Sequence, residues 1–219
     1  VRERLRARAG STVRRRPNHL ERCLEQVEGG QMIAALYIDA TGPYAGMAGV
    51  DAWDLERDAR TFAGPGPVVA HPPCGPWGRY AWKSREDSAT AIVAVRQVQR
   101  FGGVLEHPAE SKLWAALNLP RPGIPRVVVG SAGDYTEETI EVRQVDFGHR
   151  AEKRTWLYIV GRTGQICLPP GQPSPPPPPP YRSGRQPRGV LETLSKRERR
   201  LTPPAFAEWL VALATTCRR

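Results

Sequence analysis

No stretch of the chain stays apolar for the ~18 residues that a membrane span needs. No apolar segment follows the Arg-rich start in the manner of a secretory signal, so a soluble protein of the cytoplasm is expected. Cysteine is scarce and scattered. Cys23, Cys74, Cys167 and Cys217 form no Cys-x-x-Cys pair and have no histidine at ligand spacing, which argues against a disulfide framework and against a metal site. Lysine is nearly missing, since arginine supplies 28 of the 32 basic residues. That usage fits a GC-rich coding sequence, and with the small size it suits a phage or prophage protein.

What is present is proline and glycine, at 23 and 21 of 219 residues, and a formal charge of +10. The charge is uneven. Residues 1 to 31 hold 8 basic and 4 acidic residues, residues 32 to 181 hold 15 of each, and residues 182 to 219 hold 9 and 3. A neutral body with basic ends points to a polyanion such as nucleic acid as partner. Residues 1 to 31 read as a basic tail. Because Glu28-Gly-Gly-Gln31 before Met32 is what a purine-rich ribosome-binding site encodes, the native start is expected at Met32.

From Met32 the chain reads as alternating strands and helices over residues 32 to 168. Ile33 to Ile38, Val68 to Ala70, Val104 to Pro108, Thr139 to Phe147 and Thr155 to Val160 have the composition of strands. Ala91, Ile92, Val95 and Val98 recur at helical spacing before Gly102-Gly103, and Ser111 to Leu117 forms a short helix. This order predicts an α/β fold with a mainly parallel sheet and helices on both faces. Residues 169 to 189, with six consecutive prolines at 175 to 180, form a linker or exposed rod. Residues 190 to 219 end in an amphipathic helix that packs back on the domain, with Thr202 as N-cap and Pro203 at its first position.

Three segments carry chemistry. His71-Pro-Pro-Cys74 holds a thiol in a stiff turn directly after a strand, with His71, Arg79 and Lys83 as cations able to stabilise a thiolate. Glu106-His107 ends the next strand, where a carboxyl of raised pKa can act as a hydrogen-bonding acid. Asp146-Phe-Gly148 opens a basic turn through Arg150, Lys153 and Arg154 toward Val160-Gly161. In this order they resemble the cytosine-5 DNA methyltransferases, which have a Pro-Pro-Cys turn after the fourth strand, a Glu-Asn dipeptide after the fifth, and an aspartate, aromatic and glycine turn with Gln and Arg residues. Here His107 stands at the Asn position, and the third segment has no Gln after its turn.

The resemblance implies a Rossmann-like fold, a DNA partner, S-adenosylmethionine as methyl donor and no metal. It implies Cys74, Glu106, Arg150 and Arg154 as catalytic residues. Asp39, Gly42, Asp51 and Pro72 would bind the cofactor, with Asp54 and Asp58 as alternative ribose acids, and His71, Arg79, His107 and Lys153 would bind substrate. Only the interval from Asp39 to Cys74 is left for the cofactor half, so at least one strand and helix unit is expected to be missing. Two other readings stay open: a nucleic-acid-binding module that keeps the fold without the cofactor, and a pyrimidine-modifying enzyme with a different donor.

Overall fold

A computed structural model describes residues 31–131, 133–164, 166 and 198–219. The tail expected over 1 to 31, apart from Gln31, and the Pro-rich segment lie outside the described residues. Seven strands form one mixed sheet: β1 (Ile33–Leu36), β2 (Val50–Trp53), β3 (Val68–Ala70), β4 (Gly103–Pro108), β5 (Arg126–Val128), β6 (Tyr135–Arg143) and β7 (Arg154–Val160), in the order β2-β1-β3-β4-β7-β6-β5. Among the described residues three α-helices accompany it, α1 (Ala89–Phe101), α2 (Lys112–Ala116) and α3 (Pro204–Thr215). The chain is therefore an α/β protein. Among the described residues no helix is long and apolar enough to cross a membrane.

Strands β2, β1, β3 and β4 run parallel, while β7, β6 and β5 are joined antiparallel. The expected mainly parallel sheet is thus parallel only in its first half. The reason is local: β6 passes to β7 through a 3-10 turn, Gln144–Phe147, and a short loop, and such a connection reverses the chain, whereas a parallel crossover needs a dozen or more residues. Within the parallel half the crossovers from β1 to β2 and from β2 to β3 carry no α-helix, only turns and a 3-10 segment, Ala59–Thr61.

Successive strand residues face opposite sides, and both sides are apolar, as buried parallel strands require. Ala34, Leu36, Val68, Ala70, Leu105 and Tyr158 pack with α1 and α2. Ile33, Ala35, Val69, Val104, Leu157 and Ile159 pack with α3, whose Phe206, Trp209 and Leu210 join Phe147. The helix starts one residue later than expected, with Pro203 in the N-cap position and Pro204 first in the helix. Between α1 and β4 the chain turns through Gly102 and Gly103, both at positive φ. A Cβ on Gly103 would stand 2.0 Å from the Val68 carbonyl oxygen, so only glycine lets β4 lie against β3 there.

Candidate active site

The carboxyl ends of the parallel strands carry the polar side chains of interest, the position at which open α/β sheets bind ligands. Cys74 follows β3 through His71-Pro-Pro. It begins the 3-10 turn Gly75–Trp77, and its carbonyl accepts from the Trp77 N–H at 3.1 Å. The Gly75 N–H donates to Glu86 Oε2 at 3.0 Å, and Arg200 donates to Glu86 Oε1 at 3.3 Å. The turn is thereby tied to the segment before α3. The thiol is exposed, yet its pKa is raised, because the protein around it displaces water and the charges of Glu106 and Glu86 oppose a second anion. Lys153 and Arg200 pull the other way. The cations expected around the sulfur are therefore not those that act on it: Arg79 and Lys83 lie over the exposed Tyr80 and Trp82 rings instead.

Glu106, one residue beyond Leu105 on β4, faces the α3 side and is buried. Its Oε2 meets His71 Nδ1 at 3.2 Å, and its Oε1 accepts from Gln144 Nε2 at 3.0 Å. The Thr155 hydroxyl accepts from the same Gln144 amide at 3.0 Å and has two acceptors, Glu106 Oε1 at 3.4 Å and the Lys153 carbonyl at 3.2 Å. Beyond His71 the chain of contacts continues to Tyr44, whose hydroxyl lies 2.7 Å from His71 Nε2. Burial alone would raise the Glu106 pKa. The His71 hydrogen bond and the charge of Lys153, helped by His71 and His107, overcome it and hold the carboxyl at about 2. The acid of raised pKa expected here is instead a carboxylate. Tyr44 is pushed well above the ordinary phenol range by burial and by Glu106, so its proton stays on.

The structure separates other residues that the sequence groups together. His107 points to the opposite side of the sheet from Glu106, against Trp114. Neither of its ring nitrogens makes a hydrogen bond of good geometry; the Pro73 carbonyl is its polar neighbour. Burial lowers its pKa to about 4. It lies beneath the cysteine turn, on the other face of the sheet from Glu106. Arg154 pairs with Glu141 at 2.7 Å and Glu110 at 3.4 Å, across the β6–β7 pairing, and Arg150 pairs with Glu198 at 2.8 Å. Among the basic residues of that turn, Lys153 is the one whose charge reaches both Cys74 and Glu106.

On the other side of β1 the acids close on their own neighbours. Asp39 Oδ1 accepts from the Thr41 N–H and hydroxyl at 2.9 and 2.8 Å, in a turn where the Gly42 N–H also donates to the Asp39 carbonyl. Asp51 is held by Arg57 and Trp53, which lower its pKa, and Asp58 by Arg60 through both oxygens. Asp54, which follows β2, accepts from the Glu56 and Arg57 N–H groups through Oδ1 alone. Of the three ribose-acid candidates, Asp54 and not Asp51 keeps a carboxyl oxygen clear of protein donors. Pro72 is buried inside the cysteine turn.

Tyr44, Gln144 and Thr155 are members of the cluster that sequence reasoning missed. Gln144 is the one with a signal in the sequence, since it stands two residues before Asp146-Phe-Gly148. Among the described residues no group of three or more histidine, cysteine or acidic side chains converges in a way that could hold a metal ion. Comparison with protein-family models, curated proteins and solved structures finds no match.

Proposed function

We propose that the chain is a reduced relative of the cytosine-5 DNA methyltransferases that adds Cys74 to a pyrimidine of DNA. The observation that carries this reading is the meeting of three sequence-distant segments at one end of the sheet: the Cys74 turn after β3, Glu106 on β4, and the turn from Gln144 to Thr155. The strand order supports it further. β2-β1-β3-β4 matches the inner four strands, 2-1-4-5, of the doubly wound order 3-2-1-4-5-6, with the strand beyond β2 absent among the described residues, and the switch point lies between β1 and β3, where Tyr44 meets His71. The loss of that strand accounts for the short interval before Cys74.

In this mechanism the Cys74 sulfur bonds to C6 of the ring, and the electrons of the 5,6 double bond move to C5, which becomes nucleophilic. Glu106 accepts from the exocyclic amino group and faces the ring nitrogen on which charge develops. Lys153 offsets the anionic character of the thiolate and carboxylate side by side. S-adenosylmethionine, when bound, supplies an electrophilic methyl group; Asp54 would hold its ribose hydroxyls and the loop from Asp39 to Gly46 its amino-acid end. Departure of the C5 proton and of the Cys74 sulfur restores the ring. A nucleic-acid partner is supported by the loop beyond Cys74, where Tyr80 and Trp82 stand 62% and 77% exposed beside Arg79 and Lys83.

The test is transfer of labelled methyl from S-adenosylmethionine to unmodified GC-rich DNA, with nucleoside analysis of the product. Label in 5-methylcytosine that falls at least a thousandfold in Cys74→Ser is expected. Absence of label from a preparation that still binds DNA would overturn the reading in favour of a binding module or another donor.

A further inference from the structure

The site holds a conflict. A base whose ring nitrogen gains charge calls for an acid beside it, yet Glu106 is a carboxylate with three protein donors around it: Gln144 on Oε1, Thr155 near the same oxygen, and His71 on Oε2. Each of these donors presents a hydrogen to the carboxylate, so none competes with its ionised state. One of the three differs from the others. Amide and hydroxyl hydrogens do not leave at physiological pH, but the proton on an imidazole does.

His71 is built to be that source. Its side chain is 11% exposed. Its two nitrogens have different partners: Nδ1 faces Glu106 at 3.2 Å and Nε2 faces the Tyr44 hydroxyl at 2.7 Å. A hydroxyl both donates and accepts by rotating one hydrogen. When the ring carries both protons, Nε2–H donates to Tyr44 Oη and Nδ1–H to Glu106 Oε2. When Nδ1 gives its proton up, the ring keeps Nε2–H on Tyr44 and Glu106 becomes a carboxylic acid. While the new O–H on Oε2 points back at Nδ1, neither state leaves a buried polar atom of the ring without a partner, and turning that O–H toward the base gives up the Nδ1 contact. In both states the phenol oxygen accepts from Nε2–H; in a neutral ring that keeps Nδ1–H on Glu106, the phenol turns and donates to Nε2 instead.

We propose that His71 carries the proton for Glu106, with Tyr44 holding the imidazole in line, so that the acid needed at the base is formed by transfer from Nδ1 to Oε2 once the base is docked. The step balances: one N–H bond breaks, one O–H bond forms, and the imidazolium and carboxylate become a neutral pair. His71 thus acts through Glu106 as a positioning residue. The groups in contact with it are Tyr44 from the loop after β1 and Glu106 from β4; Lys153 from the turn before β7 and Cys74 stand within electrostatic reach of Glu106.

This inference rests on the pyrimidine-adding reading for its purpose but not for its test. The imidazole nitrogens of His71 are followed by nitrogen NMR across pH, assigned by their absence in His71→Asn. The expected result is that Nδ1 faces a retained proton on both sides of the titration and that Glu106→Gln lowers the His71 midpoint. Tyr44→Phe is expected to alter the Nε2 shift while the protein stays folded. An unmoved midpoint in Glu106→Gln, or a neutral ring with its proton on Nε2 in the free protein, would overturn the relay. Where the wild type transfers methyl, the rate against pH is expected to lose its alkaline fall in His71→Asn along with at least a tenfold drop in kcat, KM being little changed; an unchanged profile would overturn the relay as well. Failure of methyl transfer in the wild type would overturn the methyltransferase reading alone, and the NMR result would still decide the relay.

Discussion

The two sides of β1 use polar side chains in opposite ways. Toward β3 and β4, contacts join residues far apart in the chain: Tyr44 with His71, His71 with Glu106, Glu106 with Gln144. Toward β2, the carboxylates of Asp39, Asp51, Asp54 and Asp58 bond to groups two to six residues away. A local turn of this kind forms wherever the sequence allows it and stays near the surface, so it adds little that the rest of the fold must support. A buried network made by four separate segments is stable only when the whole sheet is in register, and it is costly when half-satisfied. The difference teaches that the constraint in this molecule lies on the cysteine and glutamate side, while the β2 side is largely a set of turns.

The comparison can be broken most directly by removing one carboxylate from each region. Glu106→Ala leaves His71 and Gln144 facing a void, and a loss of about 3 kcal/mol in denaturant unfolding is expected, as for breaking a buried charged pair. Asp54→Ala, which removes only an exposed turn cap, is expected to cost about 1 kcal/mol or less. Equal losses would erase the distinction.

Acid sharpens it next. His107 has its pKa lowered to about 4 from 6.5, so the unfolded chain binds its proton more readily, and stability present above pH 6.5 is lost as pH falls toward 4. Glu106, held at about 2 from 4.5, contributes stability above pH 4.5 that is lost as pH falls toward 2. Each group accounts for up to about 3 kcal/mol. Urea midpoints measured from pH 7 down to 3 are expected to decline throughout the range. His107→Phe is expected to flatten the curve between 6.5 and 4 and leave the lower part in place.

The smallest effect on folding belongs to the exposed loop. Trp82→Ala is expected to change unfolding free energy by no more than about 0.5 kcal/mol. Its affinity for an oligonucleotide is expected to fall about tenfold, as loss of a stacked base would require, in a filter or anisotropy titration at fixed salt.

Much of the parallel half is legible in the sequence. β1, β3 and β4 are short apolar runs bounded by Gly, Pro or Asp, and α1 has a clean period that stops at Gly102. β2 and β5 are not legible, because Val50–Trp53 and Arg126–Val128 are edge strands of partial burial whose residues follow no clear alternation. β6 is displaced from its expected position because Val142 and Phe147 look continuous in sequence, although the chain leaves the sheet at Gln144. Within the site, Cys74 and Glu106 announce themselves by standing at strand ends. The separation of His107 from Glu106 is not legible from residue type and family likeness, because the two-residue period of a strand directs His107 away from its neighbour. Tyr44 gives no signal of its own, since its role exists only once two loops distant in sequence are brought together.

That period gives β4 an unusual vulnerability. The strand is held on one side by parallel β3 and on the other by antiparallel β7, with Glu106 opposite Leu157 and His107 opposite Trp156. Deleting or inserting a single residue between Gly103 and Glu106 would not weaken the strand by degrees. It would exchange the inventories of its two faces, sending the carboxylate in among Trp114 and Leu105's companions and the imidazole to the place beside Gln144. The strand therefore behaves as a two-position key, in which substitution is graded but length admits one value.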